Sequence, residues 1–481
     1  MRRFFVKNLI FVIAVNLLVK PLWVFLIDRN VQNTVGHADY GTYQALLNLG
    51  LIFNIVLDFG LTYYNTNIIS GTPGKLRTLF PAMLSARLAL VAIYGLIVMI
   101  AALAIGYSGR EMLLMTGILF IQSLNSLMLF LRSNVSALHK FKLDALLSVT
   151  DRLLMILLCS VLLFWPGIAE GFKIEWFVLA QIICYAVAVV LGMAVLKRMA
   201  RVSFRLSLDV KEVTGIIRKS LPYASLVFLM AVHMRVDTIL VERISGPDSK
   251  NYAGIYAAGY RLLDVGNMFG IMFAGMLLPM FGRMLSQQND IQPIVRLSVN
   301  ILLPVAFIAS VAALFFGTDI MQLLYTDADA YGGKVFTWLM ACFPAYCVMY
   351  IYSTLLTANG NLMLLNKVAL AGVIINLSLN LWMIPHHHAL GAAQVAFVTQ
   401  STLAVLYILF SGKELQLPKS IKLLLAHVGY VLMLCITGYA MTLLPIDWLY
   451  QLLLFGFCAL VWIFVFRFVS VKSVKTLMDR S

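Results

Sequence analysis

Apolar residues run almost continuously along this chain, in stretches of about 20 separated by short polar breaks. A run of that length is what a helix needs to cross a bilayer. Roughly fourteen fit, near 9–27, 44–69, 79–106, 112–131, 145–165, 176–196, 221–241, 253–282, 294–316, 335–357, 366–384, 389–410, 421–443 and 448–468. The runs do not alternate apolar with polar residues as barrel strands do, so a membrane barrel is excluded. No break exceeds about 25 residues, too few for an independent soluble domain. The pattern predicts an all-α polytopic membrane protein with about fourteen transmembrane helices.

Within this pattern one arrangement recurs. Lys20-Pro21 interrupts the first run, the polar stretch "DRNVQNTVGHADYGTY" follows, and a second long run begins. Near the middle of the chain His233-Met234-Arg235 lies inside the seventh run, followed by Glu242-Arg243, a short turn and "NYAGIYAAGY". The longest break, 197–220, follows the sixth run and carries seven cations against Asp209 and Glu212. Six runs on either side of it give two halves of equal orientation, a parallel repeat with a substrate site expected between them near the midplane. The expected organisation is therefore a six-helix lobe at 1–196, a cytoplasmic linker at 197–220 and a second six-helix lobe at 221–411. Two additional helices and a basic cytoplasmic tail complete it at 412–481.

Composition agrees. The chain has 481 residues, 62% hydrophobic and 12% charged, with a mean hydropathy of +0.92, against about 45–50% apolar and 25% charged in soluble domains. Its net charge of +15 suggests nucleic acid until the cations are placed. With the N-terminus in the cytoplasm, about 25 of the 36 Lys and Arg fall on cytoplasmic segments, about 6 outside and about 5 in spans. That bias accounts for the excess, and no nucleic-acid partner is expected. Arg2-Arg3 ahead of an apolar run looks like a signal peptide, but without a small-residue cleavage site it reads as an uncleaved first span.

Several chemistries drop out. The six cysteines lie in apolar runs without a C-x-x-C pair, as small core residues do. "GTPGKL" fails as a nucleotide-binding loop, because the pattern needs Gly where Ile69 stands and Ser or Thr where Leu76 stands. His386-His387-His388 point in different directions on a tight outer loop, and no metal site is expected. No nucleophile triad or paired-carboxylate motif is present, and neither enzymatic activity nor a cofactor is expected.

What remains is charge at membrane depth: Lys20, Arg87, Arg152, Arg235 and Arg261, with Asp58, Asp151, Asp237 and Asp264. Intramembrane ions usually face protein or a substrate path. Asp151-Arg152 and Arg87 lie close enough to the cytoplasmic face to snorkel. Arg261 and Asp264 are i,i+3 on one helix and close enough to neutralise one another, whereas Arg235 and Asp237, i,i+2, do not face each other. Cations presented by both lobes suit an anion, and Arg forks match phosphate oxygens. Tyr256 and Tyr260, i,i+4, offer either a stacking face for sugar rings or plain aromatic packing between helices.

At these residues the sequence resembles the polysaccharide exporters of the multidrug/oligosaccharidyl-lipid/polysaccharide flippase superfamily, specifically O-antigen and capsule repeat-unit flippases. The likeness is carried by "ADYGTYQALLNLGLIFNIVLDFGL" at the second span, "YAGIYAAGYRLLD" at the eighth, and "ANGNLMLLNKVALAGVIINLSLNLWMIPHHHALGAAQVAF" across the eleventh and twelfth. It implies a V-shaped pair of six-helix lobes that alternate access across the bacterial inner membrane, with both termini cytoplasmic. The implied substrate is an undecaprenyl-diphosphate-linked oligosaccharide, flipped for cell-surface polysaccharide synthesis. It also implies that Lys20, Arg235 and Arg261, with Arg87, Tyr256 and Tyr260, contact that substrate. Lysine stands at position 20 where arginine is expected, a point charge in place of a fork. Further implied partners are membrane lipids, a polysaccharide polymerase, and an exchanged proton or sodium ion for which Asp58, Asp237 and Asp264 are candidates. The rival readings are a cation-coupled multidrug antiporter and a peptidoglycan lipid-precursor flippase of the same superfamily.

Overall fold

The computed structural model describes residues 22–59, 76–138, 140–167, 169–200, 202–206, 235–417 and 421–468, with a few single positions between them. Every regular element among the described residues is helical. Nine of these helices are long and apolar enough to cross a membrane, and the chain is a multi-pass membrane protein of the all-α class that the apolar pattern predicts. It separates into two compact units, Met1–Glu242 and Arg243–Ser481. Positions 207–220 of the expected linker lie outside the described residues.

In the first unit a π-wound turn, α1 (Trp23–Asp28), leads directly into α2 (Arg29–Ile52). The polar stretch 28–43, which reads from sequence as an outer loop, is helical on both sides of one residue, Gly36, at φ 81° and ψ 168°. Only glycine takes that backbone conformation readily. A short helix, α3 (Ile55–Asp58), continues the second span and stops at Phe59, which is left-handed at φ 42°. Four long helices follow: α4 (Leu76–Ile105), α5 (Arg110–Ala137), α6 (Phe141–Phe164) and α7 (Ile174–Ala200). Small residues let α5 and α7 approach closely, as membrane helix pairs do. A Cβ on Gly117 would lie 2.4 Å from Val178, and one on Gly192 would lie 3.2 Å from Leu131. Phe80 fills one end of this core, stacked on Phe130 and edge-on to Phe204.

The second unit opens with α8 (Ser249–Ser286), which at 38 residues outruns the expected 253–282. It is followed by α9 (Gln292–Leu324), α10 (Ala330–Ala341) and α11 (Phe343–Ala358), the last two being one span divided at Cys342. Glycines at 259, 266 and 270 form one seam of α8. Their Cβ positions would meet Leu339 and Phe336, then Phe343, then the Tyr350 ring, all on α10 or α11. The next helix, α12 (Leu362–Glu414), has 53 residues, about 80 Å if straight, far more than a bilayer is thick. It folds back at His388 (φ 53°, ψ −131°) into two spans. Contacts of Gly372 with Leu403 and of Gly391 with the Met383 carbonyl set their antiparallel register. Finally α13 (Ile421–Thr442) and α14 (Trp448–Val465) pack on α9 around Phe316, Tyr430 and Phe455.

Candidate functional site

Arg87 on α4 is 1% exposed, and its surroundings explain why a guanidinium can be there. Because Phe59 ends α3, the carbonyl of Leu57 loses its helical partner; helix C-termini attract cations. Arg87 Nη1 donates to that carbonyl at 2.6 Å and to Ser126 Oγ at 3.2 Å, and Nη2 donates to Thr62 Oγ1 at 2.8 Å. Nη1 also lies 2.8 Å from Asp58 Oδ1, which accepts from the Thr62 amide and hydroxyl as well. The Phe130 ring covers the guanidinium at 5.5 Å. Among the charges at membrane depth, Arg87 and Asp58 are thus brought together, in a pin that holds the broken end of the second span against α4 and α5.

Lys20 lies outside the described residues. Arg235 and Asp237 are on the helical segment 235–244, the arginine half-buried and the aspartate buried. Arg152 on α6 spreads over the Trp23 ring at 5.3 Å and lies 3.5 Å from its neighbour Asp151. A staple at one end of the unit joins three helices: Arg110 grips Asp39 through two 2.8 Å hydrogen bonds and also bonds Glu175.

The acids that leave the first and seventh runs are buried, which their position at span exits does not announce. Asp28 is 3% exposed and accepts from the Tyr40 hydroxyl at 2.7 Å, and Gln44 in turn donates to Tyr40. Twelve residues of straight helix would separate Asp28 and Tyr40 by about 18 Å; the fold at Gly36 brings them together. Glu242 is likewise 3% exposed and accepts from Tyr107 at 3.1 Å. The one signal in the sequence was the repeated order of acid, Arg and Tyr after each charged span.

In the second unit Tyr256 and Tyr260 stack at 6.0 Å and 20°, as do Tyr346 and Tyr350 on α11 at 6.4 Å and 25°. Tyr256 is buried and Tyr260 half-buried. Arg261 and Asp264 are half-buried on the same helix. At about 100° per residue they fall roughly opposite the glycine seam that packs against α10 and α11, so they point away from that contact. The asparagines in the quoted eleventh-span stretch form a buried polar pair on α12: Asn380 donates to Asn376 at 3.1 Å, both fully buried. The fold-back register sets Thr399 across from Asn376. At the turn, His388 stacks on Tyr252 at 4.3 Å and Tyr331 donates to the His387 carbonyl.

Residues 5–285 match a family model described as "Polysaccharide biosynthesis protein". No curated protein matches the chain in sequence. Among solved structures it is similar to the lipid II flippase MurJ in an inward closed conformation, with TM-score 0.72 and 14% identity over 95% of this chain and 98% of that one. It is also similar to a mutant of the Vibrio cholerae MATE transporter VcmN, with TM-score 0.61 and 15% identity over 85% of this chain and 97% of that one. A third likeness is to an inward-facing multidrug resistance MATE family transporter of the MOP superfamily, with TM-score 0.61 and 13% identity over 81% and 94%. At these identities the likeness is one of fold.

Proposed function

Because the chain belongs to the polysaccharide biosynthesis protein family, we propose that it is a flippase moving undecaprenyl-diphosphate-linked oligosaccharide repeat units from the cytoplasmic to the outer leaflet of the bacterial inner membrane. Such a flippase serves cell-surface polysaccharide synthesis, and both termini are cytoplasmic. The observation that carries the reading is Arg261, a half-buried guanidinium in a span, on the side of α8 away from its glycine seam. A cation held at membrane depth is costly and is kept where a path or partner uses it. Its planar fork fits phosphate oxygens, as does that of Arg235. Lys20, Arg235 and Arg261 recognise the diphosphate, and Tyr260 meets sugar rings. Arg87 acts from a distance, by fixing the second span.

Moving an anion out of a negative interior is favoured by about 2.3 kcal/mol per charge per 100 mV, so membrane potential can drive export. Asp58, Asp237 and Asp264 are the carboxylates proposed to exchange a proton or sodium ion, with Asp58 paired to Arg87. The test is translocation of lipid-linked glycan by Lys20→Ala, Arg235→Ala and Arg261→Ala, each checked for insertion. Loss of transfer with normal insertion is expected. Wild-type transfer in all three rejects the diphosphate site, and a drug-sensitivity phenotype with intact glycan transfer favours a multidrug antiporter of the same fold.

A further inference from the structure

A cleft between α9 and α10 has no place in translocation as described above. It is lined by Leu314, Phe315, Thr318, Lys334, Thr337 and Trp338, and its free volume is about 210 Å³. One water needs only about 15 Å³. Two glycines of the cleft lining, Gly317 and Gly333, let the helices approach closely. A Cβ on Gly317 would come within 2.8 Å of Thr337 Oγ1, and one on Gly333 within 2.3 Å of Thr318 Oγ1. Thr337 is held in place by its hydroxyl proton, shared between the carbonyls of Ala313 and Gly333 at 2.8 and 3.0 Å. Trp338 is fixed edge-on against Phe397.

The lining is graded with depth. Lys334 is four residues into its span, about 6 Å from the start of α10, while Leu314 is ten residues from the end of α9, about 15 Å deeper than that end. The first is headgroup level and the second is acyl-chain level. Leu314 is 55% exposed and Trp338 36% exposed, so the cleft opens sideways to lipid rather than into the unit. Lys334 is exposed and makes no ion pair among the described residues. A cation above an apolar trough, with the Thr318 hydroxyl near it and Trp338 about one turn deeper, is complementary to an anionic headgroup with its chain attached.

We propose that this cleft binds one anionic bilayer phospholipid, its phosphate at Lys334 and Thr318 and one acyl chain along Leu314, Phe315 and Trp338. With the N-terminus cytoplasmic, this lipid belongs to the outer leaflet.

The experiment uses the full chain purified in mild detergent, with native mass spectrometry of bound phosphatidylglycerol, phosphatidylethanolamine and soluble glycerol phosphate. Wild type is expected to retain phosphatidylglycerol at least 5-fold over phosphatidylethanolamine and to ignore glycerol phosphate, which has no chain. Lys334→Gln is expected to abolish that preference, and Leu314→Trp to reduce phosphatidylglycerol retention about 5-fold with the charge intact. Lys173→Gln, a comparable exposed cation in the first unit, is expected to change nothing. Equal retention in wild type, Lys334→Gln and Leu314→Trp overturns the proposal, and so does an equal loss in Lys173→Gln, which indicates general charge attraction. If Leu314→Trp elutes aggregated, Leu314→Phe replaces it under the same criterion.

Discussion

Removing Arg87 separates a structural role from a substrate contact, because the two predict different readouts. Its guanidinium is 1% exposed and supports a carboxylate, a helix-end carbonyl and two hydroxyls at once. Breaking a buried ion pair by deleting one partner costs about 3–5 kcal/mol. Asp58 is 37% exposed, so water takes over part of its charge once Arg87 is gone, and Arg87→Ala belongs near ~3 kcal/mol. The reverse deletion is worse: Asp58→Asn strands an enclosed cation and should approach ~5 kcal/mol. For a cooperative block the size of the first unit, 1 kcal/mol moves Tm by about 2–4 °C. The expected falls are thus about 6–12 °C for Arg87→Ala and about 10–20 °C for Asp58→Asn. Arg87→Lys keeps the charge but loses the fork that reaches these four groups, and should fall between wild type and Arg87→Ala.

The assay is thermal unfolding of the purified protein in detergent beside glycan translocation in cells. The pin predicts that translocation falls with stability. It also predicts that Arg87→Met/Asp58→Asn is less damaged than Asp58→Asn alone, since the double variant strands no charge. The reasoning is refuted if Asp58→Asn is milder than Arg87→Ala, or if Arg87→Ala shifts Tm by less than about 2 °C while translocation is lost. The second outcome would make Arg87 a substrate contact.

Three more measurements test other parts of the fold. Tyr40→Phe removes a hydroxyl donor from the buried Asp28 carboxylate and should cost about 1.5–3 kcal/mol, read as a lower Tm with unchanged insertion. Gly270→Ala puts a Cβ 2.3 Å from the Tyr350 ring and should cost about 1–3 kcal/mol, whereas Gly95→Ala, with open space around its Cβ, should be neutral or slightly stabilising. Gly36→Ala forces a side chain into positive φ at the fold between the first two spans and should cost about 1–3 kcal/mol.

The spans were legible because a bilayer demands long apolar runs, and nothing else in the chain satisfies that demand. Their ends were less so. The stretch 28–43 is polar enough to read as loop, yet Gly36 alone makes the turn and the rest stays helical. Polarity in a transmembrane unit also marks buried networks, here Asp28, Tyr40 and Gln44. The partner of Arg87 was illegible for a different reason. Asp58 lies 29 positions earlier, on a helix whose termination depends on a left-handed phenylalanine, and no periodicity encodes that. The paired tyrosines at 256 and 260 were legible at i,i+4 spacing, and they do stack. The companion pair at 346 and 350 has the same spacing and stacks in the same way; it was passed over because no charge stands beside it.

A fold shared with a lipid II flippase and with a multidrug resistance transporter does not select a cargo, since one scaffold hosts many functions. Cargo must be chosen by particular side chains rather than by the scaffold. Arg87 is consumed by the end of α3, Arg152 by Trp23 and Asp151, and Arg110 by Asp39 and Glu175. Each carries its charge for a reason visible within one unit. Arg261 stands on the side of α8 opposite the glycine seam that packs on α10 and α11, so its guanidinium lies outside that helix contact. If that cation is kept for phosphate, Arg261→Lys should retain charge yet lose part of the translocation rate, because an ammonium cannot bind two oxygens in parallel. Full activity in Arg261→Lys together with none in Arg261→Gln would instead reduce the requirement to charge alone. Indifference to both would move the search for the diphosphate to Lys20 and Arg235.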